Sequence, residues 1–240
     1  MFKITLSPGH GLHTPGKRSC DGMHEWEFNS AVVSKMIDLL AHYKDVAVKR
    51  LDDSTGKVDI PLEKRSDVSN SWGADYHLDV HANADGDGVH WNDAHGIETF
   101  SYNTSGASYE IAKKLQKALV KATGLADRGV KDGSCLYMVY STKAPANLVE
   151  CGFMTNKDEA KLLKSDAYRE TMAAALVETI ADHFKLEKEK PKETPKPVVK
   201  PKNDGSIHKV QVGAFSDPKN AEKLAAELKK KGYKPFITKE

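Results

Sequence analysis

Two histidines and two glutamates stand out as residues that could do chemistry together. His10 lies in Ser7-Pro8-Gly9-His10-Gly11, and Glu25 opens Glu25-Trp26-Glu27-Phe28-Asn29. His81 lies in Asp79-Val80-His81-Ala82-Asn83, and Glu150 ends the run Asn147-Leu148-Val149-Glu150. Two imidazoles and a carboxylate form a three-ligand set for a borderline metal, and three protein ligands leave a fourth zinc position open, as catalytic sites do. A further carboxylate at a strand end beside apolar surface has its proton affinity raised. That suits a general acid or base beside a metal. The four stretches are read as one active site.

Spacing removes one competitor and leaves others. His77 and His81 could share a metal on a helix, but Leu78, Asp79 and Val80 alternate like a strand. Four strand residues span roughly 13 Å, too far for two ligands of one ion. His77 is therefore read as a packed or solvent-facing residue. Glu27 and His24 rival Glu25 on local geometry alone. Asn83 shares a strand face with His81 and is a candidate to orient a ligand or the substrate.

The elements that must position these groups alternate along the chain. Lys3 to Ser7, Val46 to Leu51, Asp75 to Asn83 and Gly96 to Tyr102 read as strands, and Leu136 to Ser141 and Asn147 to Cys151 as the last two. Helices are predicted from Glu25 (Phe28, Val32, Met36, Leu40 on one face), over Asp59 to Trp72, Ser108 to Thr123 and about Tyr168 to Phe184. Gly124 is a C-cap candidate. Alternating strands and helices imply an α/β layer fold around a largely parallel sheet. His10 and His81 then fall at strand C-terminal ends, where open α/β sheets bind ligands.

Composition bounds the function. The 240 residues, 39% hydrophobic, suffice for one sizeable core. A formal net charge of +2 gives no reason to expect nucleic acid as a partner, and the basic excess lies beyond Lys185. No apolar run is long enough for a membrane span. The N-terminus is too short an apolar run for a signal peptide, so the chain is expected to be made in the cytoplasm and to act outside only after release or non-classical export. Cys20, Cys135 and Cys151, an odd set with no C-x-x-C pair, are expected to be reduced thiols. Residues 185–206, with Pro191, Pro195, Pro197 and Pro201 among Lys and Glu, read as an extended linker. Beyond it, His208 to Phe215 reads as a strand, Pro218 to Lys231 as a helix and Tyr233 to Thr238 as a second strand, a small α+β fragment.

Taken in order, Pro8-Gly9-His10-Gly11, Glu25-x-x-x-Asn29, His81-Ala82-Asn83 and Val149-Glu150-x-Gly152-Phe153-x-Thr155-Asn156 resemble the zinc-dependent N-acetylmuramoyl-L-alanine amidases of the Amidase_3 type. Arg128-Gly129-Val130-Lys131 is similar to that family too, and the likeness covers 1–184. The Thr14-Pro15-Gly16-Lys17-Arg18-Ser19 loop looks more like a phage endolysin than an exported autolysin. The resemblance implies a six-stranded, mostly parallel sheet with helices on both faces, and one Zn²⁺ per chain on His10, Glu25 and His81. It implies a catalytic Glu150 and hydrolysis of the amide between N-acetylmuramic acid and L-alanine in peptidoglycan. Two departures are visible: Ser7 stands where the family commonly has Asp, and Asp79 where it commonly has Ser. Residues 207–240, with Gln211-Val212-Gly213-Ala214-Phe215, resemble the start of a SPOR domain, a family that binds glycan strands. The alternatives are another zinc peptidase or deacetylase, and a non-catalytic wall-binding protein. Digestion of purified wall separates all three.

Overall fold

The computed structural model describes residues 1–189 and 212–238. The chain forms two units, Met1–Lys192 and Glu193–Glu240. In the first, the elements follow as β1 (Phe2–Pro8), α1 (Glu25–Leu40), β2 (Val46–Arg50), α2 (Leu62–Trp72), β3 (Tyr76–Asn83), β4 (Ile97–Ser101) and α3 (Gly106–Thr123). Then come β5 (Asp127–Asp132), α4 (Tyr137–Ser141), β6 (Ala146–Phe153), α5 (Lys157–Lys164) and α6 (Asp166–Phe184). The six strands make one sheet in the order β2-β1-β3-β6-β4-β5. Every pairing is parallel except β4 with β6. The C-terminal ends of β1, β3 and β6 therefore share one sheet edge with the N-terminal end of β4.

The sheet's two faces differ in chemistry because strand side chains alternate. Ile4, Leu6, Tyr76, Leu78, Val80 and Val149 lie in the main core with Phe28, Val32 and Met36 of α1, Ile111 and Leu115 of α3, and Met172, Leu176 and Ile180 of α6. Between them, on β1 and β3, come Thr5, Ser7, His77 and Asp79, buried polar residues on the face that α2 covers. Correspondingly, the buried residues of α2 are Arg65, Ser66 and Ser69. Gly124 closes α3 with φ = 71°, a left-handed value that favours glycine.

Several sequence expectations change. Leu136–Ser141 is not a strand: Tyr137–Ser141 forms the short helix α4, with Met138 and Val139 buried. A short apolar run fits a strand or a buried helical turn equally. The sixth strand is instead β5, Asp-Arg-Gly-Val-Lys-Asp at the sheet edge, whose polar composition hides it. Helix α5, capped by Asn156 accepting from the N–H groups of Asp158 and Glu159, had no counterpart in the sequence reading. In the second unit the described residues hold one helix, α7 (Pro218–Lys230), capped by Asp217. Residues 212–215 and 233–238 are in no strand, and His208–Gln211 lies outside the described residues, as do residues 190–206 of the expected linker. No helix among the described residues is long and apolar enough to cross a membrane.

Leu78 is fully buried in a central strand. Leu78→Ala is expected to destabilise the first unit by about 2–5 kcal/mol, from lost transfer energy and the cavity left behind. A urea unfolding curve of the full chain checks this, with the midpoint falling at unchanged slope.

Candidate metal centre

Three elements converge at the strand C-terminal edge. His10 follows β1 with φ = 65°, a left-handed conformation costing a non-glycine residue about 1–2 kcal/mol. His81 is near the end of β3, and Glu25 opens α1, where the helix dipole favours a carboxylate. One donor atom from each of His10, Glu25 and His81 lies within 4.8 Å of the others. His10 Nε2 is 3.2 Å from Glu25 Oε2, and His81 Nδ1 is 2.9 Å from Glu25 Oε1. The imidazole rings stand nearly perpendicular, 5.0 Å apart.

The carboxylate is held from behind. Glu25 Oε1 accepts from the Ala82 backbone N–H (3.2 Å) and from Asn29 Nδ2 (3.1 Å), which also donates to the Gly9 carbonyl (3.1 Å). The rivals are occupied elsewhere. Glu27 accepts from the His24 backbone N–H at 2.7 Å, capping α1. His77 sits in the polar layer, 3.0 Å from Thr5 Oγ1 and 3.2 Å from Asp79 Oδ2. The latter contact is close enough for an ion pair but not aligned as a hydrogen bond.

Burial separates the donors. The Glu25 side chain is 3% exposed, whereas His10 and His81 keep 20% and 16%. Burial alone raises the Glu25 carboxyl, but hydrogen bonds and charge from His10 and His81 outweigh it and hold it well below the usual range. For His81, burial favours the neutral ring, yet the Glu25 hydrogen bond and the nearby carboxylates lift it to about 9. A divalent cation held by His10, Glu25 and His81 would take the proton's place on the ring.

Glu150 faces His81 in register across the β3–β6 pair and Glu98 across the β6–β4 pair. Burial is the main cause that pushes its carboxyl up to about 8; His81 opposes, and Glu25 and Glu98 add to it. Its Oε2 is shut off from solvent without a hydrogen-bond partner. Asn83 is placed on Glu98: its Nδ2 donates to Glu98 Oε1 at 2.7 Å. Arg128 Nε donates to Glu98 Oε2 at 2.8 Å, and Lys131 is 3.7 Å from the same oxygen. The sequence reading singled out neither Glu98 nor Asn29's contacts. An acidic residue inside the apolar strand pattern Ile97-Glu98-Thr99 was the signal for the first, and Asn29's place one helical turn after Glu25 for the second.

The loop between β3 and β4 begins and ends on this edge. Asp85 N–H donates to Thr155 Oγ1 (3.0 Å), Asn92 N–H to the Thr155 carbonyl (2.9 Å), and Gly96 N–H to Glu159 Oε1 (2.7 Å). Glu159 also accepts from the Phe153 N–H at 2.6 Å, so one buried carboxylate fastens both the loop and the end of β6.

Known proteins resemble this chain in sequence and fold. The family model for N-acetylmuramoyl-L-alanine amidase matches residues 4–182, and that of the SPOR domain matches 193–240. The chain is 30% identical over 241 residues to the N-acetylmuramoyl-L-alanine amidase CwlM of Bacillus licheniformis, covering 99% of this chain and 85% of that protein. It is 33% identical over 205 residues to the endolysin of Bacillus phage SPP1, covering 82% and 72%. The crystal structure of an N-acetylmuramoyl-L-alanine amidase from Clostridium difficile 630 superposes with a TM-score of 0.70 at 27% identity, covering 77% of this chain and 97% of that one. With three quarters of its length matched to one family model and the same sheet in a solved member, the chain belongs to the N-acetylmuramoyl-L-alanine amidase family.

Proposed function

We propose that one zinc ion, held by His10, Glu25 and His81, serves hydrolysis of the amide between the lactyl group of N-acetylmuramic acid and L-alanine, with Glu150 as the proton carrier. The enzyme is a peptidoglycan amidase, as its family and relatives support. The reading rests on one observation above all: three donor atoms within 4.8 Å, with Glu150 in register beside them and its Oε2 unpartnered.

The residues fit zinc on their chemistry. Two imidazoles with one carboxylate suit zinc, whereas calcium and magnesium favour all-oxygen sets. The backbone makes room for the ligands: a Cβ added to Gly9 would lie 2.2 Å from His81 Cε1. When bound, zinc supplies a Lewis acid for the amide carbonyl. Ala82 N–H and Asn29 keep the Glu25 carboxylate oriented, as partners of metal ligands do. Glu150 takes a proton from the attacking water and returns it to the departing L-alanine nitrogen. Residues 1–184 are the catalytic part, residues 185–206 a linker and residues 207–240 a SPOR-like segment for glycan strands; the SPOR-domain match over 193–240 supports the last segment and begins inside the proposed linker.

Digestion of purified peptidoglycan tests the reaction. The chain should expose the L-alanine amine and free no reducing sugar; released reducing sugar would sink the assignment. Activity should vanish with a chelator and return with added zinc. Glu150→Gln should keep zinc and lower the rate by about 10²- to 10⁴-fold. Gly9→Ala should fold, by circular dichroism, yet bind zinc far more weakly, because the methyl group takes the space of the His81 ring. Metal analysis after dialysis checks that outcome.

A further inference from the structure

The polar face of the sheet holds a charged network that the proposed chemistry does not use. Arg65, on α2, is 1% exposed and among the largest fully buried side chains. A guanidinium has five N–H donors, and here each finds an acceptor. Nη1 donates to Ser7 Oγ (3.0 Å) and the Pro8 carbonyl (2.5 Å), and Nη2 to the His10 carbonyl (2.9 Å) and Asp59 Oδ1 (3.2 Å). Nε donates to the Ile60 carbonyl (2.9 Å). Two of these acceptors, Pro8 and His10, flank Gly9 in the turn that carries the left-handed His10.

The charge balance of this buried cation is split. Asp59 is 43% exposed and pairs directly. A second carboxylate, Asp79, is the register partner of Ser7 across the β1–β3 pair. Because Arg65 can only donate, Ser7 Oγ accepts from it. Asp79 is 1% exposed and also lies beside His77. An isolated buried charge is costly, so the guanidinium depends on this set of acceptors.

Given the metal reading above, we propose that Arg65 is a positioning residue of the metal centre: its guanidinium clamps the carbonyls of Pro8 and His10 and the Ser7 hydroxyl, fixing the turn that presents the His10 imidazole. A merely stabilising arginine would change unfolding but not the affinity or geometry of the metal site. Arg65→Lys keeps the charge and loses the planar fork that spans these acceptors.

The test uses the full chain. Zinc affinity is measured by competition with a chromophoric chelator, and ligand geometry by the visible absorption of the cobalt(II)-loaded protein. Arg65→Lys is expected to lower zinc affinity about 10- to 100-fold, as loss of a group supporting a ligand does, and to shift the cobalt bands. Ile180→Ala, a core change on α6, should destabilise the protein while leaving both readouts unchanged. Ser7→Ala, which removes one acceptor of the guanidinium while leaving Arg65 in place, should weaken zinc binding in the same direction, and it decides the matter if Arg65→Lys does not fold. Unchanged zinc affinity and cobalt bands in whichever of the two variants folds overturn the proposal alone. A parent chain that binds no zinc overturns it together with the metal reading.

Discussion

The first unit is built around a buried carboxylate that cannot be left alone. Glu25 is almost fully enclosed, and an unpaired charge there would be costly. Its two oxygens are reached by His10, His81, the Ala82 N–H and Asn29. These partners come from the turn after β1, the end of β3 and one turn further along α1. The interaction therefore fixes how the first helix meets the two strands beside it. The same convergence leaves both imidazoles partly open to solvent.

The sheet divides its labour by face. On β1 and β3 one residue parity builds the apolar layer under α1, α3 and α6, and the other builds the polar layer under α2. The polar layer is satisfied by long side chains reaching across elements: Thr5 to Ser69 and His77, Arg65 to the turn after β1. Apolar packing alone does not specify backbone conformation at a turn; directed hydrogen bonds do. A polar layer beneath a metal site is thus physically apt, since ligand geometry tolerates little slack.

Much of this was legible in the sequence, for identifiable reasons. The alternation of β3 and the helical spacing of Phe28, Val32 and Met36 are strong periodic signals, so the element types there agree with the structure. The edge strand β5 carries Asp127, Arg128, Lys131 and Asp132 and shows no such signal. The run around Tyr137–Ser141 is too short for periodicity to separate helix from strand. At the site, His10, Glu25 and His81 could be marked as a set by residue type. The choice of Glu25 over Glu27 depended on resemblance, and the capping bond of Glu27 now gives its physical basis. The roles of Glu98 and Arg65 arise from strand register and from contacts between residues far apart in sequence, which no local pattern carries.

The reversal of β4 relative to β6 has a consequence for how such an enzyme can be varied. Because β4 starts at the edge where β3 ends, the intervening segment never crosses the sheet. It is pinned at Asp85, Asn92 and Gly96 to Thr155 and Glu159, outside the three-donor cluster. The rim is therefore a detachable module. Residues 86–91 lie between those pins, so that stretch can be lengthened or exchanged while His10, Glu25, His81 and the core beneath them keep their own supports.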